Sequence, residues 1–381
     1  MPPSFSRITR RRLLAAAAAA PWLGLSAARA QDGPLRIAQS TALTGPLGLL
    51  GSAMHQGAQA AFASINARGG VHGRSIELTT LDDAYEVPKA LANVDRFLAD
   101  PGYFALFNCM GTPMIEAMLP KVIDSGIPFF APFTGAQLSR TSARNVFNIR
   151  ASYADEAEKL MQHLSTIGIQ RIGIVYQNNT FGKEVFSAAK DAMARLKLPA
   201  AANVTVENNA SDAGTAAAKL AEGNLEAVVI GLAGKPTLEF VKAFRALKRG
   251  VTLYALSVMG TSATVKALGA DGTGMAISQV VPLPTNAVMP VVRDFQTAWK
   301  ASGATAEASH LALEGYINAR VFAEVLQRAG RNPTRAAFID ATWNLKKWDL
   351  GGFEINPSTP ERNASRFVEL TLVSRDGRFI R

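Results

Sequence analysis

STALTGPLGLLGSAMHQGAQAAFASINARGGVHGRSIELTTLDD, Ser40 to Asp83, leaves an apolar strand, passes Gly45, Gly48 and Gly51, and enters a long amphipathic helical pattern that stops at Gly69-Gly70. A second strand follows and ends on Asp82-Asp83. Strand, glycine-bearing loop and helix in that order open an α/β unit, and the loop at the strand's carboxyl end exposes backbone N–H groups to ligands. A dinucleotide site requires G-x-G-x-x-G directly after the strand and an acid about 20 residues on. Here the spacing is Gly45-x-x-Gly48-x-x-Gly51, and the two aspartates come 31 and 32 residues after Gly51. No Gly-Lys-Ser/Thr follows, so a P-loop is also excluded. The glycines are expected to shape the backbone there, with Ser40, Thr41 and Thr44 facing the sheet's carboxyl edge.

Outward from this block, apolar strand-like runs alternate with helical patterns, which predicts βαβ units and parallel sheets. Strands are expected at 35–41, 75–81, 103–107 and 127–131, with helices at 52–67, 86–99 and 113–124. Ala58, Ala61, Phe62 and Ile65 make the apolar stripe of the first helix. After about residue 150 the alternation restarts, with strands at 171–176, 202–206, 226–231, 252–256 and 275–280 and helices between them. Helices at 289–301, 309–329 and near 334–342 then come without strands, and 346–381 reads as β-rich. Two α/β units followed by a tail that returns to both predict several crossovers, hence a hinge.

Residues 1–30 read as an export signal cleaved after Ala30. Arg7, Arg10, Arg11 and Arg12 form a basic segment, Leu13–Leu25 a short apolar core, and Ala28-Arg29-Ala30 an A-x-A site. Thr9-Arg10-Arg11-Arg12-Leu13-Leu14 has the form of a twin-arginine signal, with an ordinary secretory peptide as the alternative. The formal charge of +10 falls to +5 once the five arginines of this segment, which holds no acid, are set aside. No run of basic residues remains to suggest nucleic acid. Cys109 is the only cysteine and the four histidines lack ligand spacing, so neither a disulfide nor a metal site is expected, and no cofactor. No cysteine follows the cleavage site to carry a lipid anchor.

Three further loops are expected at the same sheet edges. Asn108–Pro113 places Thr112 as a helix N-cap, with Gly111 beside it. Phe129–Gly135 brings Phe133 and Thr134, and Tyr176–Gly182 brings Phe181 from the second unit. Together they make a concave ligand site. No nucleophile elbow is present, and adjacent Asp82 and Asp83 point apart, so no catalytic residue is expected. Glu314 stands alone near a helix start, where an acid usually meets solvent.

The block Thr44–Tyr85, together with IVYQNNTFGKE (174–184) and GIPFFAPFTGA (126–136), resembles the branched-chain amino-acid (Leu/Ile/Val) type of periplasmic solute-binding protein, over nearly all of residues 34–375. The resemblance implies a type I periplasmic-binding fold: two Rossmann-like lobes joined by a three-crossover hinge, with the ligand in the interlobe cleft. Lobe 1 would comprise 31–150 plus about 282–345, and lobe 2 151–281 plus about 346–381. The expected function is that of a monomer in the periplasm that captures a small carboxylate-bearing ligand, a branched-chain or other amino acid or an aromatic acid, by lobe closure and hands it to an inner-membrane ABC permease and its ATPase, with neither a membrane anchor nor a nucleic-acid partner. A ligand-sensing receptor module of the same fold, or a periplasmic enzyme, are the alternatives. Carried over by residue, the ligand loops fall at Leu49-Leu50, Gly111-Thr112, Phe133-Thr134, Phe181 and Ser257-Val258. In the amino-acid binders hydroxyls and backbone N–H groups take the ligand carboxylate, and an acid of the second lobe takes the ammonium. The matching segment here, Tyr254–Gly260, holds no acid.

Overall fold

The computed structural model describes residues 33–381, so the export-signal reading of residues 1–30 lies outside the described residues. The first unit runs β1 (Leu35–Thr41), α1 (Gly48–Ala67), β2 (Ile76–Asp82), α2 (Val87–Ala99), β3 (Tyr103–Phe107), α3 (Thr112–Ser125), β4 (Phe129–Phe130) and β5 (Val146–Phe147). Its strands form one parallel sheet in the order β2-β1-β3-β4-β5. The second unit runs α4 (Tyr153–Thr166), β6 (Ile172–Gln177), α5 (Thr180–Arg195), β7 (Ala202–Val206), α6 (Ala213–Ala221), β8 (Ala227–Gly231), α7 (Lys235–Leu247), β9 (Thr252–Ala255), α8 (Ser262–Leu268) and β10 (Ala276–Gln279). Then come α9 (Pro290–Ala301), α10 (His310–Ala329), α11 (Arg335–Asn344), the small hairpin β11 (Trp348–Asp349) and β12 (Glu354–Ile355), β13 (Glu369–Val373) and β14 (Phe379–Ile380). The second sheet has the order β14-β13-β10-β9-β8-β6-β7, with β13 and β14 antiparallel additions.

The expected alternation is therefore the observed one, and the fold is two Rossmann-like lobes. The chain passes between them at 148–152, at 280–289 and at 365–368. The first and third passages lie side by side, because Ala364 and Ser365 donate backbone N–H bonds to Asn148 and Ile149 at 2.9 and 2.8 Å. The segment from 346 to 364, read from sequence as part of the second lobe, packs with the first sheet's core. Leu350, Phe353, Ile355 and Ala364 are buried with Phe130, Phe147 and Phe322 there, and the chain joins the second sheet only at Glu369.

One departure from the sequence reading concerns glycines. Helix α1 begins at Gly48, so Gly48 and Gly51 sit inside its first turn rather than in a loop. A Cβ on Gly51 would stand 1.9 Å from the Ala42 carbonyl oxygen, so glycine is what lets the helix press on the end of β1. Where α1 crosses α10, Gly57 and Gly315 face the partner backbone in the same way, with Cβ positions 1.8 Å from the Ala312 oxygen and 2.0 Å from the Met54 oxygen.

Candidate functional site

In a doubly wound sheet, ligands bind beyond the carboxyl ends of strands where the strand order reverses. In the first sheet that point lies between β1 and β3, in the second between β6 and β8. The two edges face one another. Lys235 N–H, at the start of α7, donates to the Pro46 carbonyl at 3.1 Å, and the Thr180 hydroxyl donates to Glu116 at 2.6 Å. Lys266 pairs with Glu307 at 2.7 Å across the same division. The lobes are thus in contact around an interlobe cleft that holds two chambers.

The inner chamber is about 20 Å³ and is lined by Leu47, Leu50, Tyr85, Met110, Gly111, Thr112, Phe133, Tyr153, Phe181, Ala233 and Val258. The expected residues Leu50, Gly111, Thr112, Phe133, Phe181 and Val258 converge here from five segments that follow strands. Thr112 is not the N-cap of α3. Gly111 takes that position with φ +97°, and Thr112 is the first helical residue. Its hydroxyl instead lies 2.7 Å from the Thr134 hydroxyl, which also accepts from Ala136 N–H and meets the Tyr153 hydroxyl. Both threonines are buried, and their hydroxyls are spent largely on each other. Phe181 stacks edge-on to Tyr153 at 5.3 Å.

The outer chamber is about 670 Å³. From the first lobe its walls are Gly45, Pro46, Leu49, Leu50 and Ala84–Glu86; from the second, Asn208, Asn209, Gly234, Lys235, Leu238, Ala263, Thr264 and Ala267. Leu49 is 61% exposed and faces this space, as well as a smaller pocket beside α8. Leu50 and Tyr85 belong to both chambers and form the partition between them. Tyr85 is set by two consecutive residues with positive φ, Ala84 at +50° and Tyr85 at +65°. Asp82 and Asp83 hold that turn. Asp82 accepts from Leu43, Thr44 and Ala84 N–H, while buried Asp83 accepts from the Ser40 hydroxyl at 2.8 Å and Tyr85 N–H at 3.0 Å. Burial pushes the Asp83 carboxyl up to about 6.

Ser257 lies apart from both chambers, in a buried charge network under the hinge. Glu156 of α4 accepts from Ser257 N–H at 2.8 Å, the Ser257 hydroxyl at 3.1 Å, the Ser278 hydroxyl at 2.7 Å and Arg150 at 3.1 Å. Arg150, in the first passage between lobes, also stands 3.5 Å from Glu314 of α10 and lies over the rings of Phe133 and Tyr153, 5.4 and 5.8 Å from their centroids. Its Nε and Nη1 make no hydrogen bond among the described residues. Glu314 is thus buried rather than solvated, and burial, reinforced by Glu156 against the pull of Arg150, pushes its carboxyl up to about 7. Sequence reading passed over Arg150, Glu156, Tyr85, Tyr153 and Lys235. Isolated charged residues look like surface, and only Tyr85 lay inside a motif already singled out.

Burial pushes the Cys109 thiol up to about 12, so it sits as a small buried group that accepts from Ser40 N–H. Among the described residues no group of three or more His, Cys, Asp or Glu is placed to hold a metal, and no helix is long and apolar enough to cross a membrane.

The profile of the periplasmic binding protein family matches residues 34–377. The Leu/Ile/Val-binding protein homolog 3 of Brucella melitensis is 23% identical over 87% of this chain and 88% of its own. A substrate-binding periplasmic protein from Ralstonia solanacearum superposes with TM-score 0.86 at 31% identity, over 91% of this chain and 99% of that one. An ABC-transporter solute-binding protein from R. palustris, solved in complex with benzoate, shares the fold at TM-score 0.82 and 18% identity, over 91% and 95% of the two chains.

Proposed function

This chain belongs to the periplasmic binding protein family, of the Leu/Ile/Val-binding type, and we propose that it is the substrate-binding component of an ABC uptake transporter. It works in the periplasm, captures a small carboxylate-bearing compound by lobe closure, and presents it to an inner-membrane permease and its ATPase. The observation that carries this reading is the interlobe cleft, walled by loops from the carboxyl edges of both sheets, since a ligand there gains contacts from both lobes only when they close. Its walls are mostly rings, aliphatic chains, amides and hydroxyls, with Glu86 and Lys235 the charged side chains, and the one thiol nearby is kept neutral by burial.

The carboxylate is favoured over an amino acid because the segment Tyr254–Gly260, matching the loop from which the amino-acid binders supply an acid to the ammonium, holds no acid. An ammonium brought into the cleft without a free counter-charge pays its desolvation unrelieved. The benzoate complex of the R. palustris protein shows an aryl acid held by the same fold. Thermal-shift measurements with branched-chain amino acids, aryl and alkyl acids and dicarboxylates test the reading. A bound acid at a hundredfold excess over its Kd adds about 2.7 kcal/mol and raises the melting point. A rise with leucine, isoleucine and valine but with none of the acids contradicts it.

A further inference from the structure

We propose that capture is proton-linked: Glu314, buried beside Arg150 behind the rings of Phe133 and Tyr153, takes up a proton when an anionic ligand is captured in the cleft. The inference rests on the carboxylate reading above and adds to it what happens to charge at the site.

Behind the strand-end loops one guanidinium serves two carboxylates, and the side chains of Arg150, Glu156 and Glu314 are each at most 4% exposed. Glu156 is the better held. Besides Arg150 it takes Ser257 N–H and the hydroxyls of Ser257 and Ser278. Glu314 meets the guanidinium through Nη1 at 3.5 Å, a looser contact. The cluster holds one more acid than base, in a place where water cannot share the excess. Arg140, the other buried guanidinium near Arg150, has its own balance in Asp155, which it reaches through Asn363 at 2.5 and 3.0 Å. Of the carboxyls here, Glu314 is the one on which a proton can settle. Burial already raises it to about 7, so it takes a proton readily near neutrality.

This cluster abuts the ligand loops. The Arg150 guanidinium lies 5.4 and 5.8 Å from the ring centroids of Phe133 and Tyr153, and both rings line the inner chamber beside Thr112. A carboxylate held by these loops is a third anion for one guanidinium, with only rings between them. Charges act across such a wall because the interior screens weakly. Ligand and ionised Glu314 therefore compete for Arg150, and a proton on Glu314 ends the competition. Arg150 and Glu156 are the charged groups that act on Glu314. His55 of α1, which packs along α10, is engaged by Gln39 and Thr80. His310, one turn earlier on α10, lies against Phe379 and is lowered by burial to about 3, so it stays neutral. From α9 and α11, Asp294 and Asp340 pair with Arg320 and Arg144. Asp83, next to the chamber residue Tyr85, has its charged form held by the Ser40 hydroxyl and Tyr85 N–H.

The test is calorimetric titration of benzoate and of 4-methylpentanoate into the protein at about pH 6, 7.5 and 8.5, repeated at the middle pH in phosphate and in Tris, whose ionisation enthalpies differ. The buffer difference counts protons in the wild type, with no substitution involved. Anion binding raises the Glu314 carboxyl above its ligand-free value, so the complex keeps the proton longer and affinity falls as pH rises through about 7. The wild type is expected to take up about half a proton per ligand near pH 7.5 and to bind about tenfold more weakly at pH 8.5 than at pH 6. Glu314→Gln carries the shape and charge of the protonated acid. It is expected to take up no proton and to bind at pH 8.5 about as tightly as the wild type at pH 6, a gain that a merely structural role would not give. Acid binding without proton uptake in the wild type overturns the inference and leaves the carboxylate reading standing. Uptake that persists in Glu314→Gln belongs to another group, Asp83 first, and overturns it as well, as does lost binding in a Glu314→Gln chain that melts like the wild type. If neither acid binds at any pH, the carboxylate reading fails and the inference with it.

Discussion

Glu314 and Arg150 show how one buried contact carries both stability and pH dependence. The Glu314 carboxyl ordinarily titrates near 4.5 and is raised to about 7 by burial. Between those values the native chain holds a proton that the unfolded chain has released, so stability from this group is present at low pH and is lost as pH rises through 4.5 to 7. Asp83, raised to about 6, acts with the same sign, while buried His310, lowered to about 3, acts with the opposite one. The measurement is therefore a difference: urea unfolding of Glu314→Gln and wild type at pH 5 and pH 8. The wild type loses on the order of 1–3 kcal/mol more than the variant over that interval; parallel profiles contradict the assignment. Glu156→Ala leaves Arg150 buried with one carboxylate fewer and unties both serines. It is expected to cost about 3–5 kcal/mol in the same assay. None of this was legible in the sequence, where Arg150, Glu156 and Glu314 are spread over 165 positions and each resembles a surface residue. The residues that carried loop chemistry, Leu50, Gly111, Thr112, Phe133 and Phe181, were legible because they follow predicted strands. What the sequence could not show is that Thr112 and Thr134 satisfy each other and that Phe133 fills the space it lines.

At the scale of elements, helix α1 is held where it is by glycine. The α1–α10 crossing depends on Gly57 and Gly315 meeting opposite backbone at distances no Cβ tolerates. Gly315→Ala should destabilise the chain by about 1–3 kcal/mol through overpacking, despite alanine's better helix propensity. A rise in melting point on this substitution contradicts the packing account. The start of α1 shows where pattern reading ran short. Gly48 and Gly51 looked like loop residues because glycine usually breaks helices, but both lie in a first turn pressed on the end of β1. Strand and helix order was legible almost throughout, since each buried parallel strand is a compact apolar run. The exceptions are the two-residue strands β5 and β11, too short to carry a period.

At the scale of the whole molecule, two lobes meet around the cleft with few polar links between them. Lys266–Glu307 is the ion pair that spans the mouth, and both side chains are more than half exposed. Such a pair contributes about 1 kcal/mol or less, so Lys266→Ala should change acid affinity by no more than about fivefold. A larger loss in titration would mean that closure hangs on this latch rather than on the ligand. On the proposed function the ligand is an acid captured between the lobes. The crystal structure of the complex with the tightest-binding acid tests it most directly. The acid should lie enclosed in the cleft, touching Leu50 of one lobe and residues of the other. An acid bound to one lobe alone, or outside the cleft, contradicts it.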